Sequence, residues 1–123
     1  MGTTYPQILG KGSRLIINLL PNQVQERISN LDFVLDVDKK TGNIVGIEII
    51  NLKQQSSCGN LQMNDQKVFV DGLTWDISYK DEYDVAYIDF KKNGDPINVK
   101  TKQAKGTIYL DTRKNIVGLE IDM

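Results

Sequence analysis

The sequence predicts an all-β domain: two antiparallel β-meanders packed as a small sandwich or barrel with pseudo-twofold symmetry. Three observations lead there. The stretch Asn43-Ile44-Val45-Gly46-Ile47-Glu48-Ile49 returns 72 residues later as Asn115-Ile116-Val117-Gly118-Leu119-Glu120-Ile121, with Leu119 for Ile47 the single change. A repeat found twice points to paired half-domains, because a solenoid needs at least about three units. Apolar residues alternate with polar ones in short runs that end at Gly, Asn or Pro, the pattern of half-buried strands and turns. No segment carries the helical period over about ten residues or more. One meander of this length would leave an apolar face wet, whereas two can cover each other.

Taken in order, Tyr5 to Leu9 reads as a weak strand and Gly10-Lys11-Gly12 as a turn. Arg14 to Leu20 is a strongly apolar strand, stopped by Pro21, which cannot donate to a ladder. Val24 to Asn30 is polar and reads as a strand by analogy with its counterpart in the second half. Leu31 to Val37 alternates, residues 38–43 form a hairpin loop, and Ile44 to Leu52 is the repeated strand. Residues 53–66 are a polar connector with at most one helical turn. Lys67–Val70 and Leu73–Tyr79 flank Asp71-Gly72, a dipeptide suited to the positive φ angles of a type I′ turn. Lys80 to Tyr83 turns, Asp84 to Lys91 is a strand, and Asn93 to Pro96 turns again. Ile97–Lys102 is half-exposed, and Thr107–Asp111 and Ile116–Ile121 complete the set. The chain is thus one domain, 1–123, with half-repeats 3–52 and 67–123 joined by the connector 53–66.

The composition, 40% hydrophobic and 25% charged over 123 residues, suits a globular domain that buries its own core. A net charge of −1 provides no bulk attraction to nucleic acid or anionic lipid. No apolar run is long enough for a membrane helix, and the first residues do not resemble a signal peptide. With a single cysteine, Cys58, no internal disulfide can form, and the expected setting is a bacterial or phage-infected cytoplasm. Histidine is absent, which removes the usual neutral-pH base and the commonest metal ligand. Ser–His and Cys–His catalysis are excluded, leaving carboxylate, Lys, Tyr or Arg chemistry. The expectation is no catalytic residue, no cofactor and no metal.

The run Tyr79-Lys80-Asp81-Glu82-Tyr83-Asp84-Val85-Ala86-Tyr87-Ile88-Asp89-Phe90 resembles the opening of a bacterial family, the domain of unknown function 2283. Tyr79, Glu82, Asp84, Tyr87 and Ile88 agree with its pattern; Lys80 and Tyr83 depart. The family's closing acidic turn and Val-Val-Gly-Ile-Glu-Ile strand resemble Asp111 through Ile121. The first half keeps only this closing motif, in Leu35 to Asp38, Gly42 and Ile44 to Ile49. The resemblance implies a compact β-rich fold, commonly in paired copies, with no established activity. Family members found beside toxin-like genes imply an antitoxin-type role.

Candidate sites follow. Tyr79, Asp81, Glu82, Tyr83, Asp84 and Tyr87 make the densest acidic and aromatic patch, suited to docking a basic protein partner. Against this stands a turn with satisfied Asx hydrogen bonds and core tyrosines. Arg14, Trp75 and Tyr109 are the candidates for a small, nucleotide-like ligand held in a pocket between the halves. Glu48 and Glu120 could meet near a twofold axis and share a proton, although a solvent-facing role is the plainer reading. Asp36, Asp38, Thr41 and Gly42 miss the calcium-loop spacing and read as a hairpin. Lys91, Lys92, Lys100, Lys102 and Lys105 lack interleaved Arg or aromatics, so they read as solubilising residues of an edge strand rather than a nucleic-acid site. The leading expectation is a non-enzymatic interaction protein, antitoxin- or immunity-like. A ligand-sequestering protein is the alternative and a carboxylate-based hydrolase ranks third; a homodimer is compatible with each.

Overall fold

A computed structural model describes residues 5–92 and 98–122 of the chain. Nine strands run in the order β1 (Gln7–Lys11), β2 (Arg14–Asn18), β3 (Glu26–Asp38), β4 (Ile44–Ile50), β5 (Gln66–Val70), β6 (Leu73–Lys80), β7 (Val85–Lys92), β8 (Val99–Leu110) and β9 (Ile116–Asp122). One helical turn, α1 (Leu52–Ser56), interrupts them inside the connector. The all-β class is therefore as the periodicity indicates. All strands belong to one antiparallel sheet, ordered β1-β2-β9-β8-β3-β4-β7-β6-β5, which curls into a half-barrel.

The halves do not form two separate meanders that face each other. They join edge to edge at β3 and β8, and the leading hairpins of each half lie against the other half: β1–β2 lies against β9, and β5–β6–β7 lies against β4 through β7. Curling lets one sheet cover its own apolar face. Ile17, Phe33, Ile47, Ile88, Ile108 and Leu119 are all fully buried on the concave side. Leu52 of α1 and Leu61 are buried with them.

The repeated heptapeptide has a definite structural meaning. Asp36 stands opposite Gly46 and Val37 opposite Ile44, so Val45 is an extra residue on β4. In the second copy Tyr109 stands opposite Gly118 and Leu110 opposite Ile116, so Val117 is the extra residue on β9. Each copy thus encodes a β-bulge, which bends its strand and strengthens the local twist. Neighbours correspond as well: Ile47 lies between Leu35 and Ile88, and Leu119 between Ile108 and Ile17. The loops before the two strands share an acid. Asp38 Oδ1 accepts the Lys40 amide, and Asp111 Oδ1 accepts the Arg113 amide.

Several boundaries differ from the sequence reading. Val24–Asn30 and Leu31–Val37 are not two strands; β3 runs through both, with a shift in register between Ile28 and Leu31 where Asn30 takes a left-handed φ of 63°. An Asx residue tolerates that conformation, so a turn-like signal marks a bulge instead of a break. The segment from Val99 to Leu110 is likewise continuous. It is a central strand, not an edge. Only its first half lacks a partner on one side, because pairing with β9 extends no further than Lys105 opposite Asp122. That leaves Lys100 and Lys102 exposed. The Asp71-Gly72 turn is as expected, with φ of 53° and 80° between the paired Val70 and Leu73. The turn read at Asn93–Pro96 lies outside the described residues.

Candidate functional site

The six residues grouped around 79–87 divide into three kinds. Tyr79 and Asp84 build the fold. The Tyr79 hydroxyl donates to Asp84 Oδ1. The Asp84 carboxylate also accepts the amides of Lys53, at 2.9 and 3.1 Å, and Gln54, at 3.4 Å. Those amides are the unpaired N–H groups at the start of α1. Asn51, directly before the helix, makes no side-chain cap, so Asp84 caps it from another element. Burial alone would raise the Asp84 carboxyl; the hydrogen bonds from Tyr79, Lys53 and Gln54 outweigh it and hold the group below the ordinary carboxylate range. Burial and the bond to Asp84 push the Tyr79 phenol far above its usual value.

Asp81, Glu82 and Tyr83 form the second kind, the tip of the β6–β7 turn. Asp81 pairs with Lys53, whose ammonium also lies 5.5 Å over the Tyr79 ring. Glu82 is exposed. Tyr83 is 70% exposed, the most of any large apolar or aromatic side chain among the described residues. The turn is fixed by two backbone bonds, Tyr83 N–H to Lys80 O at 3.1 Å and Asp84 N–H to Asp81 O at 3.2 Å. Ile50, 45% exposed, stands opposite Val85 at the same end of the sheet. Tyr87 is the third kind. It sits along the convex face between Glu48 and Ser78, away from the turn.

Arg14, Trp75 and Tyr109 do not converge on one cavity. Trp75 is buried, its ring 5.1 Å from that of Phe90. Arg14 and Tyr109 meet at Glu120 on the convex face, at 3.1 and 2.6 Å. Glu48 and Glu120 do not meet either, because β3 and β8 separate their strands. Adjacent strands are about 4.8 Å apart, so three spacings place the two carboxylates far beyond proton sharing.

Glu48 has other company. Gly46 lies between Asp36 on β3 and Asp89 on β7. A methyl group there would come 2.6 Å from Asp89 Oδ1 and 2.9 Å from Asp36 Oδ2, so both carboxylates lean over the one residue that lacks a side chain. Burial pushes all three carboxyls up; repulsion from Asp36 and Asp89 adds to the effect at Glu48, and repulsion from Asp36 adds to it at Asp89. The matching place in the other half is neutralised. There Gly118 lies between Tyr109 and Asn18, and hydrogen bonding from Tyr109, with Arg14 alongside, lowers the Glu120 carboxyl. Among the described residues no three His, Cys, Asp or Glu side chains are arranged to hold a metal ion.

The sequence reading missed Lys53, whose role is visible only once α1 and the β6–β7 turn are side by side. It also missed that Lys92, although exposed, ends the inward register of β7. The signal was present: Ala86, Ile88 and Phe90 alternate as core residues, and Lys92 is the next position on that face. The fold is that of a small all-β domain, one curled antiparallel sheet with an exposed turn at one end. Compared with protein families, with curated proteins and with solved structures, the chain matches none.

Proposed function

We propose that this protein is a non-enzymatic interaction module, antitoxin- or immunity-like, that docks a protein partner through the Asp81-Glu82-Tyr83 turn. The observation that carries the reading is Tyr83: an aromatic ring 70% exposed on a turn held rigid by Asp84. Exposed aromatics on fixed backbone are the residues that supply most of the affinity at protein interfaces, with little ordering cost on binding. Glu82 and Asp81 add negative charge, which steers a basic partner. Kinship with the domain of unknown function 2283 belongs to the same proposal and rests on the quoted motifs. So does an approximate twofold relation between the half-repeats, supported by the matched bulges and matched neighbours of Ile47 and Leu119.

The test is capture of partners from native lysate, identification by mass spectrometry, and binding kinetics of variants with each purified partner. Tyr83→Ala should weaken binding by about 2 kcal/mol, as expected of an aromatic anchor. Glu82→Gln should chiefly slow association, and only at low salt. A partner bound equally well by wild type and Tyr83→Ala would place the docking surface elsewhere.

A further inference from the structure

The half-barrel has two ends, and they differ. At one end Leu52 of α1 and Leu61 are buried as part of the core. At the other, a concavity of about 470 Å³ opens between the exchanged hairpins. Ile8 and Leu15 come from β1 and β2, Leu73 and Phe90 from β6 and β7, and Ile44 from the start of β4. That volume lies within the range of about 300–1,000 Å³ typical of small-molecule sites.

The charges at the mouth are unequal. Lys91 and Lys92 line it, and among the described residues neither is within ion-pair distance of a carboxylate, although Lys91, on the Asp89 register of β7, also lies near Asp36 and Asp89. Lys92 follows Ala86, Ile88 and Phe90 on the inward register of β7 and, exposed itself, stands at the rim of the concavity. The lining carboxylate, Asp38, is already engaged by its own loop: Oδ1 accepts the Lys40 amide at 3.0 Å and Oδ2 the Thr41 hydroxyl at 3.1 Å. An apolar wall with ammonium groups at its rim is complementary to one chemical class.

We propose that this mouth binds an amphipathic organic anion, with its apolar body against Ile8, Leu15, Leu73 and Phe90 and its anionic head at Lys92 and Lys91. Burial of the body supplies the affinity, and the ammonium groups select an anion over a neutral or cationic analogue of the same length. The site is independent of the Tyr83 turn: it lies at the Leu73 and Lys92 ends of β6 and β7, and the turn joins their Lys80 and Val85 ends.

Decanoate, kept below its micelle-forming concentration, is the probe. Trp75 is the single tryptophan, and its ring lies 5.1 Å from that of Phe90, which lines the cavity, so its emission should change saturably on binding. Amide chemical shifts of the full chain locate the event and should move at Ile44, Leu73 and Lys92 while the rest of the spectrum stays folded. Decanol should bind at least tenfold more weakly. The exposed pair Lys91→Gln with Lys92→Gln should cost decanoate about tenfold and leave decanol unchanged. Failure of decanoate to saturate, shifts mapped to another surface, general unfolding, or affinity unaffected by loss of both ammonium groups would each overturn the proposal.

Discussion

Single residues carry specific packing consequences. Gly106 stands opposite Leu31 and Ile121, and a methyl group there would come 2.7 Å from the Glu120 carbonyl oxygen and 2.7 Å from the Phe33 ring. Neither neighbour is a flexible side-chain end, so Gly106→Ala should cost about 1–3 kcal/mol by overpacking. At Gly118 the nearest atom would be the Ile17 carbonyl oxygen at 3.3 Å, which needs only a small adjustment. Urea denaturation of the two variants should separate them clearly, and equal losses would show that the Phe33 ring yields. Ile47→Ala should cost about 2–5 kcal/mol, because Ile47 is fully buried and its removal leaves a cavity. That residue's burial was legible in the sequence, since the repeat fixes which strand face is apolar. The demand at Gly106 was not, because it depends on where the ring of Phe33 lies, on β3, with four strands between it and β8 in the chain.

At the scale of elements, the β6–β7 turn and α1 hold each other. Asp84→Ala removes the acceptor for the Lys53 and Gln54 amides and for the Tyr79 hydroxyl, and should destabilise the protein by about 1–2 kcal/mol. Tyr83→Ala, one residue earlier, should leave stability within about 0.5 kcal/mol, since its side chain is mostly in water. Thermal unfolding of the pair distinguishes the structural acid from the proposed docking aromatic, and similar losses would undo that division. In the sequence these neighbours looked alike, because an acid in a turn gives no sign of a helix more than 25 positions away that it caps. Strand signals were stronger: the Asp-Gly hairpin and both repeated strands were placed by local chemistry alone. Strand order was not, since pairing of β2 with β9 has no local signature.

The whole molecule holds two opposed sets of carboxyls. Asp36, Glu48 and Asp89 are raised, so they bind protons more readily in the fold than in the unfolded chain. They subtract stability above their raised values and return it as pH falls through those values toward the ordinary range near about 4. Asp84, Asp111 and Glu120 are lowered, and their contribution is present above the ordinary range and lost as pH falls through it toward their lowered values. Asp89→Asn should therefore raise the urea midpoint at pH 7, with the gain shrinking as the pH approaches 4. A midpoint at pH 7 equal to or below that of the wild type would mean that the Asp89 charge is compensated in the fold.

The exchanged hairpins also constrain how the protein comes off the ribosome. Arg14 at the start of β2 pairs with Asp122 at the end of β9, and β6–β7 completes the sheet beside β4. Within the first fifty residues β1 pairs with β2 and β3 with β4, but β1–β2 has no neighbour in the sheet until β9 is synthesised. Pairings so distant along the chain make folding slow and leave strand edges open meanwhile. During synthesis Arg14–Asn18, which pairs on one side with β1, and Ile44–Ile50, which pairs on one side with β3, therefore each keep one open edge until β9 and β7 emerge, and such edges are templates for aggregation and for chaperone capture.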